Sequence, residues 1–258
     1  SAASDVYKRQ DDIYCRKSLI RMNILLSNDD GYYSTGIVGL AESLSEFANI
    51  TIVAPENNNS GSSSSLTLKN PLRIRKYQDN GYYVNGTPAD CVFLALTKVL
   101  DEKPDLLVSG INHGANLGDD VLYSGTVGAA MGGRFSDIPC LALSTTSLKP
   151  KHLNAAIEAS KILVRDHLTE LTLRSTVLNI NFPDVPIEEM QGYAITELGK
   201  RLMPDSSSRN IDAYGDEIHW IGPPPLPEAS NQETDFNAIA NNKISITPLT
   251  TNLTNVSQ

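Results

Sequence analysis

A short apolar run ends on two adjacent acids: Met22-Asn23-Ile24-Leu25-Leu26-Ser27 leads into Asn28-Asp29-Asp30-Gly31. Few features restrict a fold more. A run of this kind is buried on both faces of a sheet, and the carboxyl end of such a strand opens into the crevice where α/β folds bind ligands. Two carboxylates placed there repel each other and lose solvation, and a hard divalent cation compensates both effects. Gly31 lets the backbone turn away without a Cβ clash. The plainer reading of the same four residues is a solvated turn, since Asn, Asp and Gly are common turn residues.

The 258 residues are 40% hydrophobic and 20% charged, which suits one large α/β domain, or one domain with an appendage. A formal net charge of -9 argues against a nucleic-acid surface, and no apolar run is long enough to span a bilayer. Cys15, Cys91 and Cys140 are too few and too scattered for a disulfide framework or a zinc site. Residues 1–21 lack an apolar h-region and a periodic stripe. They read as a disordered or artefactual extension, with Met22 as the natural start.

Beyond the first strand, Ile37, Leu40, Ala41, Leu44 and Phe47 lie on one face of a helix over 36–47, and Ile50 to Ala54 reads as a second buried strand. The two strands then pair in parallel through a right-handed crossover. A polar stretch from Glu56 to Ser65 leaves the same rim as Asp29 and Asp30. Leu72 to Tyr77 and Tyr82 to Val84 form a hairpin around Asp79-Asn80-Gly81. Thr87-Pro88-Ala89-Asp90 starts a helix that runs to about Leu100. Leu106 to Ser109 is a strand, followed by a glycine-punctuated polar loop from Gly110 to Tyr123. Ser124-Gly125-Thr126 follows, and a small-residue helix then begins at Val127 and runs to Gly133. Strands over 138–144 and 176–182 flank a helix over 153–168. The pattern is a Rossmann-like, doubly wound, mostly parallel sheet over 22–190. Residues 191–258 change texture and read as a C-terminal β-hairpin or arm suited to subunit exchange, with a last short strand over 243–247 before Pro248.

Three loops bring oxygen donors to one rim: Asp29 and Asp30, Ser60, and Asn112. An all-oxygen set favours Mg²⁺, Mn²⁺ or Ca²⁺ over zinc. Ser124-Gly125-Thr126 at a helix N-terminus supplies an anion partner, or a plain serine cap. Asn116 either donates to phosphate oxygens or stabilises a turn. His113, beside Gly114, reads as a loop residue rather than a base. There is no P-loop, no Gly-x-Gly-x-x-Gly after the first strand and no Gly-x-Ser-x-Gly elbow. The paired acids also admit a glycosyltransferase, although adjacent acids do not match the Asp-x-Asp spacing those enzymes use.

These motifs resemble the SurE survival protein family: Asn28-Asp29-Asp30-Gly31, Ser60-Gly61, Gly86-Thr87-Pro88-Ala89-Asp90-Cys91, Ser109-Gly110-Ile111-Asn112, Asn116-Leu117-Gly118-Asp119-Asp120 and Tyr123-Ser124-Gly125-Thr126. Trp220-Ile221-Gly222-Pro223-Pro224, Thr234-Asp235-Phe236 and Ser245-Ile246-Thr247-Pro248-Leu249 extend the likeness, which covers 22–249. The resemblance implies a cytoplasmic, metal-dependent phosphohydrolase of nucleoside 5′-monophosphates. In some members 3′-nucleotides and short polyphosphate are also accepted. It implies one divalent cation per subunit, Mg²⁺ or Mn²⁺, on Asp29, Asp30, Ser60 and Asn112, with phosphate on Asn116, Ser124, Gly125 and Thr126. Asp29, Asp30 and Asn116 are the expected catalytic residues. The expected partners are the nucleotide and further copies of the chain, as a homodimer or homotetramer through the C-terminal arm, with no nucleic acid and no membrane. The chain departs from the family at Asn59, where Arg is frequent, and at Ser34-Thr35-Gly36. A nucleotide-binding sensor without turnover is the alternative reading.

Overall fold

The structure, a computed structural model, describes residues 21–168, 177–203, 208–221, 224–252 and 254. The expected extension over 1–21 falls, but for Arg21, outside the described residues. Strand β1 (Met22–Ser27) buries Ile24 and Leu26 on one face of the sheet and Leu25 on the other. This alternation requires helices on both faces. The helices Thr35–Leu44 and Leu153–Ile162 cover the Leu26 face through Ile37, Leu40, Leu44, Ala156 and Ala159. The helices Pro88–Leu94 and Gly125–Gly132 cover the Leu25 face through Cys91, Val92, Val127, Ala129 and Ala130. Each fully buried Leu of β1 contributes about 1.5–3 kcal/mol.

The remaining strands are β2 (Ala48–Pro55), β3 (Ile74–Gln78), β4 (Gly81–Val84), β5 (Leu106–His113), β6 (Cys140–Thr145), β7 (Val177–Phe182), β8 (Tyr193–Ile195), β9 (Ser208–Ile211), β10 (Glu217–Trp220) and β11 (Ile244–Leu249). The main sheet has the order β3-β4-β2-β1-β5-β6-β7-β11-β8, and β9 pairs with β10 apart from it. β1 is parallel to both β2 and β5, so the chain winds away from β1 in two directions. The β1/β5 junction is therefore the switch point, where an open α/β sheet leaves its crevice. The hairpin around Asp79-Asn80-Gly81 is present, with β3 antiparallel to β4 at the sheet edge.

Two expectations are corrected. The strand read over 106–109 continues to His113, where Asn112 and His113 pair with Ser144 and Thr145 after a register shift. The glycines there read as loop, but the neighbouring strand satisfies the backbone. The segment grouped as an arm also contributes to the core sheet. β11 runs through Pro248 to Leu249, antiparallel to β7, and β8 pairs with β11. Among the described strands, only the β9–β10 hairpin stands outside the sheet. No helix among the described residues is long and apolar enough to cross a membrane.

Candidate active site

The turn after β1 is fixed by Asn28, fully buried, whose Nδ2 donates to the Gly31 carbonyl and to Ser34 Oγ at 2.8 Å. Gly31 has φ +105°, a conformation other residues rarely adopt. Asp29 and Asp30 are thereby held at the switch point. Asp29 is 3% exposed and Asp30 half-buried. Neither makes an ion pair among the described residues. Burial pushes the Asp29 carboxyl up to about 6, against the pull of the Thr126 hydroxyl, with the Asp30 charge adding to the rise. Burial also raises Asp30, opposed by the His113 backbone N–H.

Three loops meet at this pair. Asp30 accepts from Asn58 Nδ2 at 3.2 Å and from the His113 backbone N–H at 3.3 Å. It thus touches the segment carrying Ser60 and the strand end carrying Asn112. Asn58 Oδ1 in turn accepts from the Ser60 N–H at 2.9 Å, and the Asn59 N–H donates to the Asp29 carbonyl at 2.6 Å. Asn112 Nδ2 donates to the Gly114 carbonyl at 2.9 Å, which commits its nitrogen and leaves Oδ1 as the acceptor end. Asp29 Oδ1 accepts the Thr126 hydroxyl at 2.5 Å.

The serine-rich stretch is tied down along its length. The Ser63 N–H and hydroxyl donate to the Tyr123 and Leu122 carbonyls at 3.1 and 2.7 Å. The capping box at Thr87 and Asp90 reaches it too, since Asp90 Oδ1 accepts from the Thr67 N–H at 3.0 Å and Thr87 Oγ1 donates to the Ser65 carbonyl at 2.7 Å. Ser62 Oγ is buried without a hydrogen-bond partner. A Cβ on Gly125 would stand 2.8 Å from Ser62 Oγ and 2.9 Å from Asp29 Oδ2, so only glycine leaves these oxygens room.

The anion side is built from Ser124. Its Oγ caps the helix Gly125–Gly132 by accepting from the Val127 N–H at 3.1 Å, so the hydroxyl hydrogen is available to an outside oxygen. Thr126 and Asn116 are placed differently from a simple phosphate contact. Thr126 gives its hydroxyl to Asp29. Asn116 is buried, with Nδ2 on Ser144 Oγ at 2.7 Å, its N–H on Asn181 Oδ1 at 2.9 Å, and its carbonyl accepting from Asn179 and Asn181 at 2.8 and 3.0 Å. It fastens its loop from beneath.

Sequence reasoning missed Asn58, Ser62, Asn179, Asn181 and Asp235. Asp235 accepts from the Gly118, Gly199 and Phe236 N–H groups at 2.7, 2.9 and 2.9 Å. Arg201 forks onto Asp120 and lies 4.9 Å from the Phe236 ring centre. The C-terminal segment thus clamps the turn Gly118–Leu122 that leads to Ser124. The alternation Asn179-Ile180-Asn181 inside a buried strand was the available signal for Asn179 and Asn181.

The donor set fits a divalent cation. Asp29, buried, and Asp30, half-buried, make no ion pair among the described residues, the buried Ser62 hydroxyl near Asp29 lacks a hydrogen-bond partner, and Ser60 and Asn112 carry further oxygen donors. Among the described residues no three His, Cys, Asp or Glu side chains group to hold a metal, so a cation here would need neutral oxygens beside the two carboxylates.

The family model "Survival protein SurE" matches residues 24–205. A curated relative from Alkalilimnicola ehrlichii, 5′-nucleotidase SurE, is 49% identical over 233 residues, covering 90% of this chain and 91% of the relative. The crystal structure of the SurE protein from Aquifex aeolicus superimposes with a TM-score of 0.80 at 40% identity, covering 90% of this chain and 95% of that one. With these matches spanning the sheet, the acid pair and the serine-capped helix, the chain belongs to the SurE survival protein family.

Proposed function

We propose that the chain is a metal-dependent 5′-nucleotidase, releasing phosphate from nucleoside 5′-monophosphates. The carrying observation is the adjacent carboxylates without an ion pair, Asp29 buried against the serine-capped helix through Thr126 and Asp30 half-buried beside it. Asp29, Asp30, Ser60 and Asn112 would hold one Mg²⁺ or Mn²⁺, which when bound withdraws charge from a phosphate oxygen as a Lewis acid. The Ser124 hydroxyl and the Gly125 N–H hold further phosphate oxygens. Asp30, the more accessible acid, orients the attacking water and takes its proton as the water oxygen bonds to phosphorus and the bond to the 5′-oxygen breaks, and solvent water protonates the departing 5′-oxygen. Thr126 acts through Asp29, and Asn116 through the loop it anchors.

The name of the Alkalilimnicola relative supports the substrate class. The test is phosphate release from AMP and GMP after chelation, then with Mg²⁺ or Mn²⁺ restored. Release that returns with metal supports the reading. Calorimetric binding of AMP with no release under any metal overturns it in favour of a sensor.

The assembly proposed is a homodimer or homotetramer through the C-terminal extension, in a cytoplasmic protein. Its support is the apolar surface around the β9–β10 hairpin, where Met203, Tyr214 and Ile221 are almost fully exposed. Light scattering that returns a monomer mass at micromolar concentration refutes it.

A further inference from the structure

Two neighbouring cavities lie between Asn58, which touches Asp30, and the sheet edge. The first, of about 520 Å³, is lined by Glu56, Asn57, Asn58, Asn59, Asn85 and Thr87 among others. That volume suits a small-molecule site. It starts at Asn58, the side chain on Asp30 Oδ1. The second, of about 180 Å³, shares Glu56 and Asn85 with the first and adds Arg73, Arg75 and Tyr83.

The topology places the arginines at the rim of the site. β4 runs parallel to β2, with Val84 level with Pro55, and β3 runs back from the same end with Ile74 opposite Val84. Arg73 and Arg75 flank Ile74, and as i, i+2 neighbours they share one face of the strand. Both are exposed, and neither makes an ion pair among the described residues. Only Glu56 offsets them within the cavity, which leaves a local positive site on a chain of net charge -9. From β1 to β3 is three strand spacings, about 14 Å. Across that span the guanidinium groups are separate from the phosphate placed at Ser124 and Gly125. They would meet a second one.

Resting on the nucleotidase reading above, we propose that Arg73 and Arg75 form a subsite for a second phosphate. The substrate class is a 5′-phosphorylated nucleoside whose far side carries another phosphate group. The nucleoside spans the asparagine-lined cavity, whose amides offer both donors and acceptors to sugar and base edges. Tyr33, 63% exposed, borders its entrance: its ring and the Asn57 backbone both lie within 3.7 Å of the position a Gly31 Cβ would take. Arg73 and Arg75 then present fork-shaped donors to the second phosphate, the geometry for which arginine is suited.

The test compares kcat/KM for AMP, adenosine 3′,5′-bisphosphate and a 5′-phosphorylated diadenylate, by phosphate or product release from the full chain with Mg²⁺ or Mn²⁺. A preference of about tenfold or more over AMP is expected for one of the two doubly charged substrates. Which of them is preferred identifies the source of the second phosphate. The preference should shrink as salt rises. It should fall to near one in R73A/R75A and below one in R73E/R75E. A wild-type ratio near one, or a ratio that survives both double substitutions or is indifferent to salt, overturns the subsite. AMP hydrolysis by the wild type separates the two outcomes: if AMP itself is not hydrolysed, the nucleotidase reading is what has failed.

Discussion

The fold works against ionisation of Asp29. Burial disfavours its charge, while the Thr126 hydroxyl favours it and holds the side chain in place. A carboxyl raised from 3.8 to about 6 binds its proton more tightly in the folded state than in the unfolded one. The metal-free protein should therefore lose stability as pH rises from about 4 to about 6, by something on the order of 3 kcal/mol. Melting scans in chelator across that range check this, and a melting temperature that climbs over the same interval contradicts it. A bound cation reverses the balance, because the ionised form is then the one stabilised. Asp30→Asn should cut turnover by about a thousandfold or more while leaving the melting temperature within a few degrees, since it keeps the side-chain shape and removes the base. An Asp30→Asn protein of near-normal activity sinks the assignment. Gly125→Ala forces a methyl onto Asp29 and Ser62, so activity should collapse although alanine is the better helix former.

At the level of elements, the acid turn, the helix starts and the parallel βαβ unit were legible because each is written locally. Thr87-Pro88-Ala89-Asp90 is a capping box in the structure as its spacing demands. The continuation of β5 through Gly110 to His113 was not legible. Its residues look like loop, and what makes them strand is β6, which is remote in sequence. The same holds for β11, where Pro248 reads as a stop although the pairing with β7 continues to Leu249. The asparagines beneath the site belong to this non-local class. Asn181→Ala should orphan the buried N–H of Asn116 and weaken the hold on its carbonyl, at roughly 1–3 kcal/mol for each group left unpaired. Denaturant unfolding measures the cost, and a loss below about half a kcal/mol contradicts the anchoring role of the network.

For the molecule as a whole, the candidate ligands come from the ends of β1, β2 and β5, three strands joined at the switch point of one sheet. The local motifs showed which residues carry oxygen. The sheet order brings the ends of the strands that carry them to one edge, and the clamp of Asp235 and Arg201 ties the C-terminal segment to the same unit. Saturating Mn²⁺ should raise the melting temperature of the wild type and leave that of an Asp29→Asn, Asp30→Asn double variant unmoved. The most direct measurement is anomalous diffraction from crystals grown with Mn²⁺. A single manganese peak bounded by Asp29, Asp30, Ser60 and Asn112 is the result expected. A peak bound elsewhere, or none in crystals saturated with the ion, contradicts the account.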